Sequence, residues 1–206
     1  MDNKHMDRRI IRTKQVIQEA LVTLIEEKGF DFVTVKDITS RANINRGTFY
    51  LHYRDKIDLL EQTLRGIVEE CQSLVLQSNS LDIKDYINSD KPPAFMVALF
   101  EYFDRNASLM RALLSMKGDL SFQEQFKKVL WSNIFEKELS VHIKKDNLLV
   151  PSEYLITYIL SAHLGVVQHW LEKDQRESPQ QMASILYRLS FFGPIYAAGV
   201  NTRQPV

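Results

Sequence analysis

The sequence predicts an all-α protein of about nine helices, and three observations carry that reading. Apolar residues recur at three- and four-residue spacing along most of the chain, as one buried face of a helix requires. The period-two alternation between turn pairs that marks strands and hairpins is missing. Pro92, Pro93, Pro151, Pro179 and Pro194 stand at the edges of the periodic segments, where a missing N–H and a fixed φ are tolerated.

The first long helix is expected over residues 8–28. Ile10, Val16, Ile17, Ala20, Leu21, Leu24 and Ile25 share one face, and Gly29 ends the helix because glycine enters the left-handed region without a steric penalty. Phe30 and Phe32 are expected to cover the adjoining core. Thr34 is a good N-cap, and Asp37 three residues later completes an acidic form of the capping box. A short helix over residues 35–42 should therefore bury Val35, Ile38 and Ala42. Asn43 can turn the chain in the left-handed region. Asn45 can then cap a second short helix, and Asp55 a long one from Lys56 to about Val75 that carries Ile57, Leu60, Leu64, Ile67 and Val68.

The polar, turn-rich residues 78–91 read as a loop. Five more helices are expected, at about 93–105, 107–117, 122–145, 152–173 and 179–192. Gly118-Asp119, Asn147 and Pro151 supply the breaks, and Ser178-Pro179 gives an N-cap followed by proline at the first helical position. The domain boundary is placed at residues 68/69, leaving 8–68 as one domain and 69–206 as a larger helical one.

Composition narrows the classes. The chain of 206 residues is 45% apolar and 25% charged, ordinary for a globular protein. Lys+Arg and Asp+Glu balance at 26 each, so net charge does not point to a polyanion. The distribution is uneven: Lys4, Arg8, Arg9, Arg12 and Lys14 precede any comparable acidic run, with only Asp2 and Asp7 against them. Such an arm suits contact with phosphate, or is a solvated terminus. Cys71 is the single cysteine, so there is no intrachain disulfide and no cysteine-cluster metal site. Neither a signal-peptide pattern nor a bilayer-length apolar run is present. A soluble, cytoplasmic protein without a cofactor is the expectation.

The stretch from Thr34 to Lys56, TVKDITSRANINRGTFYLHYRDK, carries the function. Two helices of about two turns meet at a tight turn, and the second is rich in small and polar side chains. A helix that reads base edges needs that composition, with a few apolar residues holding its other face to the protein. Ile44, Phe49 and Tyr53 are the expected anchors. Gly47 costs about 1 kcal/mol in a helix interior, which makes sense where backbone must approach a phosphate.

With its flanking helices, this stretch resembles the DNA-binding domain of the tetracycline-repressor-like (TetR/AcrR) family. The resemblance runs from about Arg9 to Arg65 and rests on Gly29-Phe30, Thr34-Val35-x-Asp37-Ile38, Gly47-Thr48-Phe49-Tyr50-x-His52-Tyr53 and Asp55-Lys56. Asn43 stands where glycine is commoner, and Leu51 where a polar or aromatic residue is frequent. The resemblance implies a three-helix DNA-binding domain followed by a helical ligand-binding and dimerisation domain. Val35 and Lys36 would lie near the DNA backbone, and Asn45, Arg46 and Thr48 would face the major groove. Tyr50 and His52 would touch phosphate or base, Leu51 a thymine methyl, and Lys56 a phosphate. Tyr50 alternatively serves as a packing aromatic and His52 as a solvated surface residue, whereas Thr34 reads as a cap.

Beyond Cys71 the match is one of architecture. Members of the family dimerise through their last two helices and hold a small molecule in the C-terminal domain. Ile159, Val166 and Trp170, with Ile185, Leu189 and Phe192, are the interface residues this implies, although the same stripes suit an intramolecular core. Phe100, Tyr102, Phe103, Met110, Phe126, Trp131 and His163 are the candidate pocket for a hydrophobic effector, in a segment whose aromatic and Met spacing also suits plain core. The implied function is a homodimeric repressor released from a palindromic double-stranded DNA operator by that effector. An activator or co-regulator answering to a protein partner is the alternative. Catalysis is disfavoured: His163 and His169 fall on different faces of one helix, His142 lacks a ligand partner, and Cys71 has no sequence-local base.

Overall fold

The computed structural model describes residues 3–77, 89, 91–114 and 148–200, with side chains from residue 8 onward. Among the described residues there are helices and turns and no strand. The helices are α1 (Asn3–Lys28), α2 (Val35–Arg41), α3 (Arg46–Tyr50), α4 (Lys56–Leu76), α5 (Ala94–Arg105), α6 (Ala107–Leu114), α7 (Ser152–Glu172), α8 (Pro179–Phe191) and α9 (Gly193–Ala197), with a 3-10 turn at Phe30–Phe32. The all-α expectation holds. The helix expected at 122–145 lies outside the described residues, as do most of the expected loop at 78–91 and the end of the helix expected at 107–117. The short α9 was not anticipated. Phe192 separates it from α8, and Gly193, its first residue, takes φ +83°.

The chain divides into two compact units, Met1–Ile67 with Ser108–Phe126 and Val68–Ala107 with Lys127–Val206. In the first unit, α1 begins five residues before its expected start at Arg8, because nothing from Asn3 to Asp7 breaks a helix. Ile17, Ala20, Leu21, Leu24 and Ile25 are buried as the spacing requires, whereas Ile10 lies toward the exposed end of the stripe. The local signals act as expected. Gly29 takes φ 81° and Asn43 φ 51°. The hydroxyl of Thr34 accepts from the Asp37 amide at 3.2 Å, and Asp37 Oδ2 accepts from the Thr34 amide at 2.9 Å. Asp55 Oδ1 accepts from the amides of Ile57 and Asp58 at 2.9 and 2.8 Å and so caps α4.

Three packing expectations need correction. Phe30 is buried, but Phe32 is 74% exposed, because the tight 3-10 turn separates their directions. On α4, Ile57 is exposed and Leu59 takes the buried place beside Leu60 and Leu64. In α2 only Ile38 is fully buried of the three residues expected inside, and Thr39 joins it, its hydroxyl donating back to the Lys36 carbonyl at 3.2 Å.

In the second unit α8 packs on α5, α7 and α9. Ser178 and Gln181 form a reciprocal capping box with Pro179 at the first turn. Trp170 is the centre of this core at 1% exposure. Its ring meets Phe100 edge-on with centroids 5.3 Å apart, the Arg176 guanidinium sits 5.3 Å from its centroid, and its indole N–H donates to the Glu177 carbonyl at 2.9 Å. Arg176 also pairs with Asp104 at 3.1 Å, holding the α7–α8 connection against the end of α5. Tyr187, equally buried, donates its hydroxyl to the Ser89 carbonyl at 2.6 Å.

Candidate DNA-binding surface

The turn between α2 and α3 is closed by backbone bonds from Ala42 to Ile38, Asn43 to Ser40 and Ile44 to Thr39, at 2.9, 3.3 and 3.0 Å. Asn43 in the left-handed region lets the chain reverse there. Asn45 stands at the N-cap position of α3 with extended backbone, but its side chain makes no capping hydrogen bond. Its carbonyl instead receives the amides of Thr48 and Phe49, which leaves the exposed side chain available outward.

One side of α3 is anchored. Phe49 is wholly buried and Tyr53 nearly so, their centroids 5.6 Å apart, and Ile44 is half-buried. The three anchors read from the sequence are therefore placed inward, Phe49 most completely. Burial pushes the Tyr53 phenol above its ordinary value, and the Asp58 carboxylate adds to this. The opposite side is open: Asn45, Arg46, Gly47, Tyr50 and Leu51 are exposed, Leu51 by 80%. Thr48 and His52 are half-buried, as is Val35 at the start of α2, while Lys36 beside it is exposed. Tyr50 meets Phe49 edge-on at 5.5 Å, so it packs at its base and remains 55% exposed. Gly47 has no internal reason to be glycine. Its backbone is not left-handed, and a Cβ added there would meet nothing within 4 Å.

Lys56 is placed differently from the outward-reaching role implied for it. Its ammonium donates to the carbonyls of Phe30 and Asp31, both at 3.0 Å, and lies 4.7 Å from the Phe30 ring centroid. The short 3-10 turn offers those carbonyls to a donor from outside itself, and the first turn of α4 brings one. Lys56 therefore braces the turn ahead of α2.

Two ion pairs that sequence reading did not anticipate hold α2 to the end of α1. Lys28 Nζ meets Asp37 Oδ2 at 2.8 Å, and Arg41 meets Glu27 through two parallel bonds. Asp37 Oδ2 receives Lys28, the Thr34 hydroxyl at 2.6 Å and the Thr34 amide. These donors hold its carboxyl far below the usual range, Lys28 contributing most. No sequence-local signal marks these partners, which are nine and fourteen residues apart.

The expected pocket residues that are described lie on three helices, α5, α6 and α7. Phe100, Phe103 and Tyr102 are neighbours on α5, with ring centroids 6.1 Å apart in each successive pair. Burial pushes the Tyr102 phenol up to about 12. His163 on α7 belongs to another group of neighbours: Nδ1 lies 2.7 Å from the Ile159 carbonyl and Nε2 2.9 Å from Ser190 Oγ. Met110 is buried in the other compact unit, and Phe126 and Trp131 lie outside the described residues. Of the expected interface residues, Ile185 is exposed, and Ile159, Val166, Leu189 and Phe192 are half-buried. Trp170 must be withdrawn from that set. Its ring is enclosed by its own chain and has no surface left for a partner.

Other chemistries find little among the described residues. Burial pushes the Cys71 thiol up to about 12, so it is no nucleophile. No group of three or more His, Cys, Asp or Glu there is arranged to hold a metal, and no described helix is long and apolar enough to cross a membrane.

Known proteins bear on this geometry. Residues 17–63 match the family described as bacterial regulatory proteins, tetR family, and residues 90–191 match a family described as a transcriptional regulator C-terminal region. An uncharacterized HTH-type transcriptional regulator of Bacillus subtilis, YxbF, is 25% identical over 184 residues. That match covers 87% of this chain but 45% of the relative, so the chain spans about half of that protein's length. The IcaR protein of Staphylococcus aureus, a negative transcriptional regulator of the biofilm operon icaADBC, is 27% identical over 67 residues, covering 32% of this chain and 36% of its own. A TetR-family transcriptional regulator structure from Syntrophomonas wolfei superposes with a TM-score of 0.69 at 20% identity, over 93% of this chain and 98% of the other.

Proposed function

This chain belongs to the tetR family of DNA-binding transcriptional regulators, and on that premise we propose that it acts as a homodimeric cytoplasmic repressor of a palindromic operator, released by a small hydrophobic effector. Its family and relatives are regulators rather than enzymes.

The observation that carries the reading is the split of α3 into two sides. Phe49 and Tyr53 hold the helix inward, while Asn45, Arg46, Tyr50 and Leu51 project from it into solvent. Arg46 has no ion-pair partner among the described residues. A guanidinium presented in this way suits bidentate donation to guanine O6 and N7, and Leu51 suits a thymine methyl. Thr48 and Tyr50 complete the base-reading group. Lys36, His52 and the start of α2 at Val35 position the protein on phosphates, which fix register without reading sequence. Gly47 supports the same assignment: the fold does not need glycine there, whereas a DNA backbone approaching α3 does. Lys56 contributes by holding the turn that precedes α2.

Repression follows the sense in which IcaR is named, and the half-buried and exposed apolar residues Ile159, Val166, Ile185, Leu189 and Phe192 are the surface for a second copy. Two-fold pairing of the protein would be matched by a palindromic site. The aromatic neighbours Phe100, Tyr102 and Phe103 on α5 are the proposed effector region. An activator or co-regulator answering to a protein partner is the alternative, with the same DNA-binding surface.

Selection of bound sequences from a random duplex library tests the reading, using the full chain and its Arg46→Ala and Thr48→Ala variants. A palindromic enriched site is expected, relaxed by each variant at matching positions in both half-sites, with Arg46→Ala costing about 1–3 kcal/mol of discrimination. Absence of any enriched sequence at low salt from folded dimer would overturn it.

A further inference from the structure

Two features of the second compact unit meet at the end of α5. The chain passes from this unit into the first at Ala107 and Ser108, in the opening turn of α6. Asn106 is the single residue between α5 and α6. Its amide and its side-chain Nδ2 both donate to the Tyr102 carbonyl, at 3.1 and 2.8 Å. The last turn of α5 and the start of α6 are thereby joined with no slack, and Met110, Leu113 and Leu114 of α6 are buried.

That last turn is itself clipped from outside. Arg176, on the connection between α7 and α8, reaches Asp104 at 3.1 Å and lies 5.3 Å from the Trp170 ring centroid. Trp170 in turn meets Phe100 edge-on at 5.3 Å and donates its indole N–H to the Glu177 carbonyl at 2.9 Å. Phe100 and Asp104 are four residues apart, so they share a face of α5. The four side chains close a ring through which α5 is held at two successive turns. The other ion pair of this connection, Lys173 with Glu177, stays within it.

Stability alone is a poor reason for this clip. Asp104 and Arg176 are both partly exposed, and an ion pair of that kind contributes little to folding. Arg176 also keeps Nη1 buried without a hydrogen-bond partner, a desolvation cost that a fully satisfied pair would avoid. The pair is instead suited to fix a direction that can be released at modest cost. Phe100 also meets Phe103 at 6.1 Å, and Phe103 meets Tyr102 at the same distance. A ligand seated among those rings would press on Phe100 and, through Trp170, on the guanidinium.

We propose that Arg176, seated on Trp170 and paired with Asp104, is a positioning residue that holds the last turn of α5 and so the start of α6, and that its release weakens operator binding. The inference rests on the operator reading above and deepens it, naming the contact through which the aromatic group of α5 acts on DNA binding. Release is a population shift: whatever displaces Phe100 favours the conformer in which the pair is open.

The test uses the full chain with Asp104→Asn, Arg176→Gln, both together, and Lys173→Gln as a control that removes the neighbouring pair. Affinity for the duplex selected from the library, hydrogen exchange of the α6 amides and urea unfolding are measured for each. Each single variant at the clip should bind the duplex about fivefold more weakly, with an unfolding midpoint close to that of the wild type. The α6 amides should exchange faster, while those in the core of α1 stay unchanged. The double variant should be no weaker than the poorer single, because one contact is lost in all three. Lys173→Gln should match the wild type in affinity and in α6 exchange. Unchanged affinity or unchanged α6 exchange in the single variants, losses that add in the double variant, or equal losses in Lys173→Gln would overturn the proposal. If the wild type selected no sequence, the operator reading would fail, and α6 exchange would still decide whether Arg176 holds the start of α6.

Discussion

Glu27, at the end of α1, and Arg41, at the end of α2, meet through two parallel hydrogen bonds, Nη1 to Oε1 at 2.8 Å and Nη2 to Oε2 at 2.7 Å. The planar guanidinium matches the carboxylate as a fork, a geometry that lysine cannot reproduce. With Lys28 and Asp37 one residue on in α1 and one turn back in α2, the pair holds α2 at two points and so sets the position from which α3 departs. Both partners are well exposed, and the pair therefore orients the helix more than it stabilises the fold. Arg41→Lys should lower operator affinity at low salt with little change in thermal unfolding, and the difference should shrink as salt screens the pair. Equal affinity of variant and wild type at low salt would show that α2 needs no such clamp.

Acid should act on the same junction. The Asp37 carboxyl is held far below its ordinary value, first by Lys28 and then by the Thr34 hydroxyl and amide; Glu27 is lowered chiefly by its bonds to Arg41. A depressed folded-state pKa contributes stability that is fully present above the unfolded value, about 4. That contribution is lost as pH falls through the folded value. Urea unfolding at a series of pH values from 7 to 2 should therefore show Asp37→Asn less stable than wild type at neutral pH, with the two converging in acid. Parallel pH profiles would remove Asp37 as the source.

Phe49 and Leu51 are two residues apart and should separate stability from recognition. Phe49 is wholly buried and Leu51 is 80% exposed. Phe49→Ala should cost about 3–5 kcal/mol as a large-to-small change in a packed core, measured by chemical unfolding. Leu51→Ala should stay within about 0.5 kcal/mol of wild type and instead relax base preference at one position in each half-site. A Leu51→Ala protein that selects the same site with the same preference would show that Leu51 does not touch a base.

Trp170 and Ile185 make a second such pair. Trp170→Phe keeps most of the ring but leaves the Glu177 carbonyl without its 2.9 Å donor, a loss of about 1 kcal/mol, and it should leave the oligomeric state unaltered. Ile185→Glu places a charge on a residue 41% exposed in the single chain. It should disperse the proposed dimer in sedimentation velocity while each chain stays folded. Dispersal by the Trp170 variant instead would reverse the assignment of inside and interface.

His163 should make the second unit sensitive to mild acid. Burial lowers its pKa, opposed in part by its hydrogen bond to the Ile159 carbonyl. The folded state thus favours the neutral ring, and the unfolded chain binds the proton more readily. Stability is complete above the unfolded value, about 6.5, and falls as pH drops from there toward the lower folded value. His163→Gln should flatten unfolding midpoints between pH 7.5 and 5, and an unaltered slope would place the sensitivity elsewhere.

Much of the fold was legible because its signals are local. Thr34 with Asp37, Asp55 ahead of α4, Ser178 with Gln181, and the left-handed Gly29 and Asn43 each act within four residues of themselves. The motif from Gly47 to Tyr53 likewise fixed in advance which aromatic residues anchor α3, since Phe49 and Tyr53 are four apart and share a face. Prediction failed where a face had to be divided between competitors. Phe32 and Ile57 carry the same apolar character as Phe30 and Leu59, yet the turn and the helix crossing left them outside. The Trp170 stripe fitted a core and an interface equally well from spacing alone.

By itself the sequence determined that this protein is helical, where most of its described helices begin and end, and that α3 presents polar and small residues on a buried aromatic footing. Those outcomes depend on backbone dihedrals and hydrogen bonds among near neighbours. Only the tertiary structure decided that Lys56 turns onto the Phe30 and Asp31 carbonyls, that Arg41 grips Glu27, and that Trp170 belongs to its own chain. Each is a choice among several chemically suitable partners, made by the distance and angle at which one helix crosses another, and that geometry is a property of the whole packed unit.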